Sequence, residues 1–598
     1  MNRLTAICAV TAALVASASP ALARADGQLD PSFGSGGVAL APAGGGVDDI
    51  ATGVTVDPAG GIVAAGWENE GGGHYLFTVT RLLADGAVDS SFGTSGATTA
   101  AVGTSNEDMA SGVAIDSLGR IVLAGSARTA SHEKNFGLAR FTPTGQLDSS
   151  FNGFGVKYTE IGAASSVGSA VAVDSQNRIL VAGSSFGGGN ELFTIARYLP
   201  NGELDSTFGT GGIVATPLVG NDVPEAMALD SQGRIILAGK AIAGGDDFLV
   251  ARYLPNGELD HSFGQGTGYV RTAPGTSDDT AYGVAVDPQG RVVVAGLSSV
   301  NGTEELSAAR YQPDGSLDPS FGTGGVTIAP VGPGLEVSGL ALDAQGRPLI
   351  AGRVEVGPHR DFLLVRLQEN GSIDPTFGAG GIVVTPVGTG SSGAEALTID
   401  PAGRIVLAGW AGNGEFALAR YIDDSTPPAV AITSGPAEGS FTNDPTPTFG
   451  FSSPEASTSF LCGIGTAGSA CSAPFTTPPL ADGPHTFSVV GADPAGNRSA
   501  PASRTFTVDT RPPSITVRGR RVFKTRKKRG RAHFKLSADE PATFSCRVDH
   551  RRPGPCGPNV KTPKLKRGKH LLRVTATDRA GNLGQTARHF RIVAARRR

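Results

Sequence analysis

The residues best suited to chemistry in this 598-residue chain are few, and many occupy matched positions. Trp67 and Trp410, its two tryptophans, each follow an Ala-Gly dipeptide. Exposed rings placed in this way stack on sugars or anchor a protein partner, and the same rings would also serve as local packing. Asp49, Asp108, Asp222 and Asp279 each stand eight residues before another aspartate. A ring of such carboxylates would offer oxygen ligands to a hard cation such as Ca²⁺, while solvated, turn-forming acids account for the same residues. After Cys8 the cysteines fall into two close pairs, Cys462 with Cys471 and Cys546 with Cys556. In an exported chain these read as disulfides; a zinc site would draw two cysteines from each pair and lacks Cys-x-x-Cys spacing. Lys524, Arg526, Lys527, Lys528 and Arg529 form a basic run of the kind that attracts polyanions.

Nothing comparable assembles for catalysis. The nine histidines share no repeat phase and no metal-ligand spacing. No nucleophile elbow, Cys–His pairing context, phosphate loop or His-Glu-x-x-His motif is evident, and no catalytic residue is assigned. A site gathered from several distant segments escapes such a reading. A hydrolase or lyase acting on an extracellular polysaccharide therefore stands as the alternative to a non-catalytic binder.

The elements that must position these groups repeat. A segment Leu-Asp-x-Ser/Thr-Phe-Gly, with small variations, begins at Leu29, Val88, Leu147, Leu204, Leu259, Leu317 and Ile373, at intervals of 55 to 59 residues. In the fourth copy, apolar runs at Gly212–Val214, Ala226–Asp230, Arg234–Gly239 and Phe248–Tyr253 are parted by turn residues such as Asp230-Ser231-Gln232-Gly233 and Pro255-Asn256-Gly257. Four short strands per repeat predict a blade, and seven copies predict a seven-bladed β-propeller. Taking Leu-Asp-x-Ser-Phe-Gly-x-Gly-Gly-Val as the outer strand, the chain enters on an outer strand and stops, at Arg420, on a third. Residues 27–41 are then expected to complete the last blade, whose other strands lie in 394–421; an open solenoid predicts no such mismatch of phase.

Fixed and variable positions separate cleanly. Asp57, Asp116, Asp174, Asp230, Asp287, Asp343 and Asp400 end the innermost strands, where a short carboxylate accepts backbone N–H groups across the next turn. The phenylalanines of the repeated segment, from Phe33 to Phe377, are expected to wedge between blades. An arginine ends each third strand and an aspartate opens each outer segment, Arg197 and Asp205 for example, which predicts an ion pair across every hairpin. Variation concentrates in the other connections, which antiparallel threading puts on one face, the expected binding surface.

In Leu-Asp-x-Ser-Phe-Gly, Val-Asp-x-x-Gly-Arg and Leu-Ala-Arg-Tyr, residues 27–422 resemble the delta-60 repeat family. The resemblance implies an extracellular bacterial propeller-like array and brings no assigned reaction. After Thr426-Pro427-Pro428 the chain resembles bacterial immunoglobulin-like domains in Thr446-Pro447-Thr448-Phe449, the Cys462/Cys471 pair and Ala492-Asp493-Pro494-Ala495-Gly496-Asn497. A second module follows Arg511-Pro512-Pro513, with Cys546, Cys556 and Thr577-Asp578-Arg579-Ala580-Gly581-Asn582. The expected fold is all-β, a seven-bladed β-propeller followed by two Ig-like β-sandwiches. Its divisions are a signal peptide at 1–25, the propeller at 26–422, an Ig-like domain at 423–510 and a basic Ig-like domain at 511–598.

Composition sets the same bounds. With 86 glycines, 39 prolines, 17% charged and 39% hydrophobic residues, the chain fits a turn-rich β protein better than a disordered one, and its glycines lack the period of collagen. Asn2-Arg3, an apolar run from Leu4 to Ala18 and Ala21-Leu22-Ala23 read as a cleaved secretory signal, and no later stretch suits a transmembrane segment. Residues 511–598 hold 26 of the 50 Lys/Arg and only 4 of the 54 Asp/Glu, so the last module is strongly basic while the rest is acidic. Export argues against nucleic acid as its polyanion and for an anionic cell-envelope polymer. The expected protein is thus secreted or cell-surface, a non-catalytic interaction or adhesion protein. Its propeller loop face takes an extracellular glycan or protein, and it needs no cofactor unless the aspartates hold Ca²⁺.

Overall fold

The structure, a computed structural model, describes residues 26–595 apart from 42, 44–45, 47, 106, 131–132, 163, 243, 413, 424–426, 456–457, 467 and 494–496. The signal-peptide reading of 1–25 and the terminal Arg596, Arg597 and Arg598 lie outside the described residues. These are arranged in β-strands and turns, with one short 3₁₀ turn at Gly264–Gly266. No helix among them is long and apolar enough to cross a membrane. Among the described residues, those from 26 to 423 make one compact unit and those from 427 to 595 another.

The described residues of the first unit form seven four-stranded antiparallel sheets. The fourth sheet runs Asn221–Leu229, Ile235–Ile242, Asp246–Tyr253 and Tyr269–Thr272 from inner to outer edge. The second and third strands are apolar on both faces, as in Ile235–Ala238 and Phe248–Ala251, because each sheet is covered by a neighbour on either side. Leu180, Ala182 and Phe193 of the third sheet share one core with Ile235, Leu237 and Leu249 of the fourth. The seventh sheet takes Ser392–Ile399, Ile405–Ala411 and Glu415–Tyr421 from the end of the unit and its outer strand, Val38–Ala41, from the beginning. Val38 lies opposite Ala419 and Ala41 opposite Phe416. Inner strands touch in chain order, and Ser392–Ile399 of the seventh sheet also touches Ile50–Val56 of the first.

The Leu-Asp-x-Ser-Phe-Gly segment corrects one expectation, for it is a knot of turns and only the residues after it form the outer strand. Leu259 makes a single bridge to Tyr253. Asp260 Oδ1 then accepts from the backbone N–H of Ser262 at 3.0 Å and its hydroxyl at 2.6 Å, while the Phe263 N–H donates to the Asp260 carbonyl. These local bonds compete with a ladder and win. The turn drives Phe263 inward to full burial, with the Arg252 guanidinium 4.6 Å from its ring centroid.

The expected arginine–aspartate pair recurs in every sheet. Arg197 Nε donates to Asp205 Oδ2 at 2.9 Å and Arg252 Nε to Asp260 Oδ2 at 2.7 Å. In the seventh sheet the partners, Arg420 and Asp30, come from opposite ends of the unit and meet at 3.0 Å. The aspartates ending the inner strands accept turn N–H groups, Asp230 from Gln232 and Arg234 at 2.9 Å each. All but Asp57, which has Gly61 there, also pair with an arginine four residues on, as Asp230 does with Arg234 at 2.5 Å, a contact the repeat shows only once both residues are aligned.

In the second unit, residues 431–508 form a three-stranded sheet, Ala431–Ser434, Thr448–Ser452 and Phe475–Thr476, and a five-stranded one built on Gly483–Ala492. Between them Phe449 stacks on Phe487 with centroids 4.1 Å apart. Residues 515–594 repeat the pattern, with three strands around His533–Ala538 and five around Gly568–Thr577. Disulfides join Cys462 to Cys471 and Cys546 to Cys556, with Cα atoms 5.9 and 5.7 Å apart. In the repeated Asp-x-x-x-Asn motif, Asp493 and Asp578 each accept the asparagine backbone N–H at 2.8 Å, holding the loop before the last strand.

Candidate functional site

Every inner strand of the first unit carries a β-bulge at the same height. Pairing with the second strand slips between Ala51 and Gly53, and at the matching places around to Ala394 and Ala396. The cause is the Ala-Gly dipeptide of the second strand. A Cβ on Gly66 would lie 1.9 Å from the Ile50 carbonyl oxygen, and one on Gly239 2.0 Å from that of Val223. Only glycine admits so close an approach, and the extra residue it accommodates leaves the ladder.

Those extra residues are Thr52, Ser111, Ser169, Glu225, Tyr282, Ser338 and Glu395. Where the side chain is a hydroxyl it can staple one sheet to the next, as Thr52 does to the Ala110 carbonyl at 2.7 Å and Ser338 to that of Ala394 at 2.8 Å. Glu225, Tyr282 and Glu395 depart from that role. One step further along the second strand stand Trp67, Ser126, Ser184, Lys240, Leu297, Arg353 and Trp410, opposite residues such as Ile50, Glu336 and Gly393. These tiers surround a cavity of about 480 Å³ to which all seven sheets contribute, Thr52, Trp67, Ser111, Val167, Glu225, Tyr282, Ser338 and Glu395 among its lining.

Its electrostatics are uneven. Arg353 forms ion pairs with both Glu336 and Glu395, and its guanidinium lies 5.9 Å from the Trp410 ring centroid. The Trp410 indole N–H donates to Glu395 Oε1 at 3.0 Å. Lys240 is held by Asp246 at 2.8 Å. Glu225 has no hydrogen bond or ion pair among the described residues; burial pushes its carboxyl up to about 7, with Lys240 opposing the shift and Glu191 adding to it. Burial also raises the Tyr282 hydroxyl, with Glu225 adding to the effect.

The residues singled out from sequence meet different fates. Trp67 and Trp410 are half-buried rather than freely exposed: Trp67 packs edge-on against Tyr75 with centroids 5.3 Å apart, and Trp410 is tied to Glu395. Asp49, Asp108, Asp222 and Asp279 are buried, and their carboxylates serve the backbone of their own loops. Asp108 Oδ2 accepts from the N–H of Val102 at 2.6 Å and of Gly103 at 2.9 Å, and Asp222 from Leu218, Val219 and Gly220. Asp279 caps Gly275, and Asp49 caps Asn69. These four carboxylates thus bond backbone amides, and none belongs to a group of three acids close enough to share an ion among the described residues. Among the described residues the carboxylates that do approach one another closely are Asp509, Glu540 and Asp578, in the second unit.

Lys524, Arg526, Lys527, Lys528 and Arg529 are exposed, Lys524 in the strand Val522–Thr525, Arg526 to Lys528 on the turn after it and Arg529 at the start of the next strand. Pairing of Arg529 with Lys566 brings exposed Lys566, Arg567 and Lys569 alongside, a neighbourhood the linear run does not show. None of these eight makes an ion pair among the described residues. The string Gly183-Ser184-Ser185-Phe186-Gly187 does spell the nucleophile-elbow pattern, but it runs as extended strand, with Ser185 opposite Ser166 and its hydroxyl bonded to Thr194 at 2.7 Å. A strand-to-helix turn is what an elbow needs.

Six stretches, 60–92, 119–151, 176–208, 231–263, 288–321 and 346–377, match the family model described as a domain of unknown function (DUF5122) beta-propeller. Residues 429–510 match a bacterial Ig-like domain. No curated protein matches the chain. Among solved structures, the extracellular domain of a hybrid two-component system from B. thetaiotaomicron is similar at 12% identity and a TM-score of 0.32 over 77% of this chain; the chain spans 55% of that relative's length. The polysaccharide lyase Uly1 is similar at 11% identity and a TM-score of 0.37, covering 67% of this chain and 97% of the lyase. A glucose dehydrogenase is similar at 12% identity and a TM-score of 0.33, with 64% and 99% covered.

Proposed function

The chain is a β-propeller repeat protein carrying a bacterial Ig-like domain, and from that premise we propose that it acts outside the cell as a non-catalytic interaction protein. The seven sheets are read as seven blades of one ring closed by the N-terminal strand, and 511–598 as a second Ig-like domain. The propeller's loop face and axial cavity take an extracellular glycan or protein, while the basic last domain holds the molecule on an anionic envelope polymer.

The observation that carries this reading is the axial cavity, whose seven bulge positions share one backbone geometry but not one chemistry. Divergent side chains on an otherwise repeated scaffold are where recognition resides. Two disulfides support an oxidising, exported setting. The patch of exposed, unpaired Lys and Arg from 524–529 and 566–569 supports envelope retention, an attraction that salt screens. The full mature chain and one lacking 511–598 are to be compared on cells at low and high salt. Loss of the cell-bound fraction in high salt and on deletion supports the reading, and equal retention overturns its envelope half. A glycan array with wild type and Trp67→Ala then asks which class of ligand the propeller takes.

A second reading has its own support. A carboxyl held near neutrality, Glu225, beside the Tyr282 hydroxyl is the kind of pair that donates and accepts protons. Turnover of an extracellular polysaccharide, abolished by Glu225→Gln, would make the propeller a hydrolase or lyase instead.

A further inference from the structure

We infer that the axial cavity binds the terminal residue of a neutral, hydroxyl-rich glycan, with Glu225 as the hydrogen-bonding anchor. The inference rests on the interaction-protein reading above and names its ligand. Glu336 pairs with both Arg353 and Arg360 and Glu395 with Arg353, two carboxylates against two guanidiniums, while Lys240 pairs with Asp246. Of the acids lining the cavity, Glu225 alone has no hydrogen bond or ion pair among the described residues, and Lys134 at the rim has no side-chain partner there either. Glu225 and Lys134 are of opposite sign, so the cavity carries little net charge for a ligand to cancel, which disfavours a strongly anionic or cationic occupant.

What the lining does offer is hydrogen bonding and one aromatic body. Ser111, Ser126 and Tyr282 supply hydroxyls, Glu225 an acceptor with both oxygens open, and Trp67 an apolar surface. A carboxylate accepting two neighbouring hydroxyls makes the strong, charge-assisted kind of hydrogen bond, and a sugar's C–H face packs on an aromatic side chain. A volume of about 480 Å³ suits one or two sugar rings entering end-on from the loop face. The small residues of the second and third sheets, Ser111, Ser126, Ser169 and Ser184, leave that side of the axis open. The charged and bulky ones crowd the opposite side, so the site is directional although the scaffold repeats.

The test titrates the full mature chain with neutral hexaoses of several linkages by calorimetry. Wild type is expected to bind at least one of them. Glu225→Gln, nearly the same in shape, weakens that binding at least tenfold, and Ser111→Trp, which fills the cavity, abolishes it, both with melting curves like wild type. Lys527→Glu on the basic domain leaves it unchanged. Binding that survives both cavity variants overturns the inference while leaving a glycan-binding loop face intact. Binding of a protein partner but of no neutral sugar overturns it as well, and binding of neither class overturns the underlying reading too.

Discussion

Arg366 Nη1 donates to Asp423 Oδ1 at 2.6 Å, a side-chain carboxylate standing where the other six sheets present a main-chain carbonyl. Arg197 reaches the Pro255 carbonyl, Arg252 that of Pro313, and Arg310 that of Glu369, each on the turn between third and outer strands of the next sheet. The seventh sheet has no such turn, because its third strand ends the unit and its outer strand begins it. The missing hairpin is rebuilt from its two halves. Asp423 supplies the acceptor from one end, and from the other the Asp26 carbonyl takes the Gly378 N–H, as the Asn370 carbonyl takes that of Gly322. Gly27, at φ 77°, stands in for the turn glycines Gly86 and Gly371.

This split turn is expected to respond to pH. Asp423 is buried, and its carboxyl is pushed up to about 6, chiefly by burial, with Arg366 opposing the shift and Asp343 adding to it. A carboxyl whose folded pKa is raised stabilises the fold below its unfolded pKa of about 4, and that contribution is lost as pH rises through the folded value. Asp423→Asn keeps an oxygen for Arg366 and removes the ionisation. Its melting temperature should match wild type near pH 4 and fall less between about pH 4 and 7. Asp423→Ala leaves Arg366 Nη1 without its acceptor and should be less stable at both pH values by about 1–3 kcal/mol. Identical pH slopes for wild type and Asp423→Asn would exclude this account.

The same sign holds for other buried acids of the unit. Asp49 is raised to about 6 and Glu68 and Glu225 to about 7, each first by burial. In the opposite sense, hydrogen bonds from Ser or Thr and the adjacent arginine hold Asp148, Asp205, Asp260 and Asp318 below the usual range against the cost of burial. Stability from this second set is lost as pH falls below about 4. Thermal melts of the propeller across pH 3 to 9 should therefore peak between about 4 and 6, falling on both sides.

Removing one arginine of the repeated pair tests the framework directly. Arg197 is buried, with its Nε on Asp205, an Nη2 contact to Thr207 at 3.2 Å and its ring-facing carbon 4.4 Å from the Phe208 centroid. Arg197→Met strands a buried aspartate, and breaking such a pair costs about 3 kcal/mol or more. The melting temperature should drop by several degrees. An unchanged curve would mean that the pair sets register without adding stability.

How much of this was legible in the sequence follows from the distance over which each feature is written. Asp230 with Arg234, Arg197 with Asp205, and the Cys462–Cys471 bond span ten residues or fewer, so one repeat displays them. The phase that sends Val38–Ala41 to the last sheet was legible from counting strands. The bulge ring was not. A bulge adds one residue to an otherwise alternating strand, so Glu225 and Glu395 look like ordinary exposed positions, and nothing local says that residues 170 apart in sequence share a cavity. A usable signal was present in the invariant Ala-Gly, since a glycine held at one place in seven strands marks a close backbone approach. Likewise Ala25-Asp26-Gly27 repeats Ala84-Asp85-Gly86, which locates the broken turn.

Excising the N-terminal strand is the sharpest test of how the unit holds together. Residues 26–41 contribute the Asp26 contacts to Arg366 at 2.9 Å, the Asp30 partner of Arg420, buried Phe33 and the four pairings of Val38–Ala41. Their loss leaves Arg420 buried without its carboxylate and exposes the third strand of the seventh sheet as a free edge, which invites association. Because Phe33 packs in the core that joins the seventh sheet to the first, the damage reaches both neighbours of the seam. A chain starting at residue 42 should melt well below one starting at residue 26, in a single transition seen by the fluorescence of both Trp67 and Trp410, and should aggregate on concentration. An open array would instead lose one terminal strand, fraying near Trp410 while the sheet around Trp67 kept its stability.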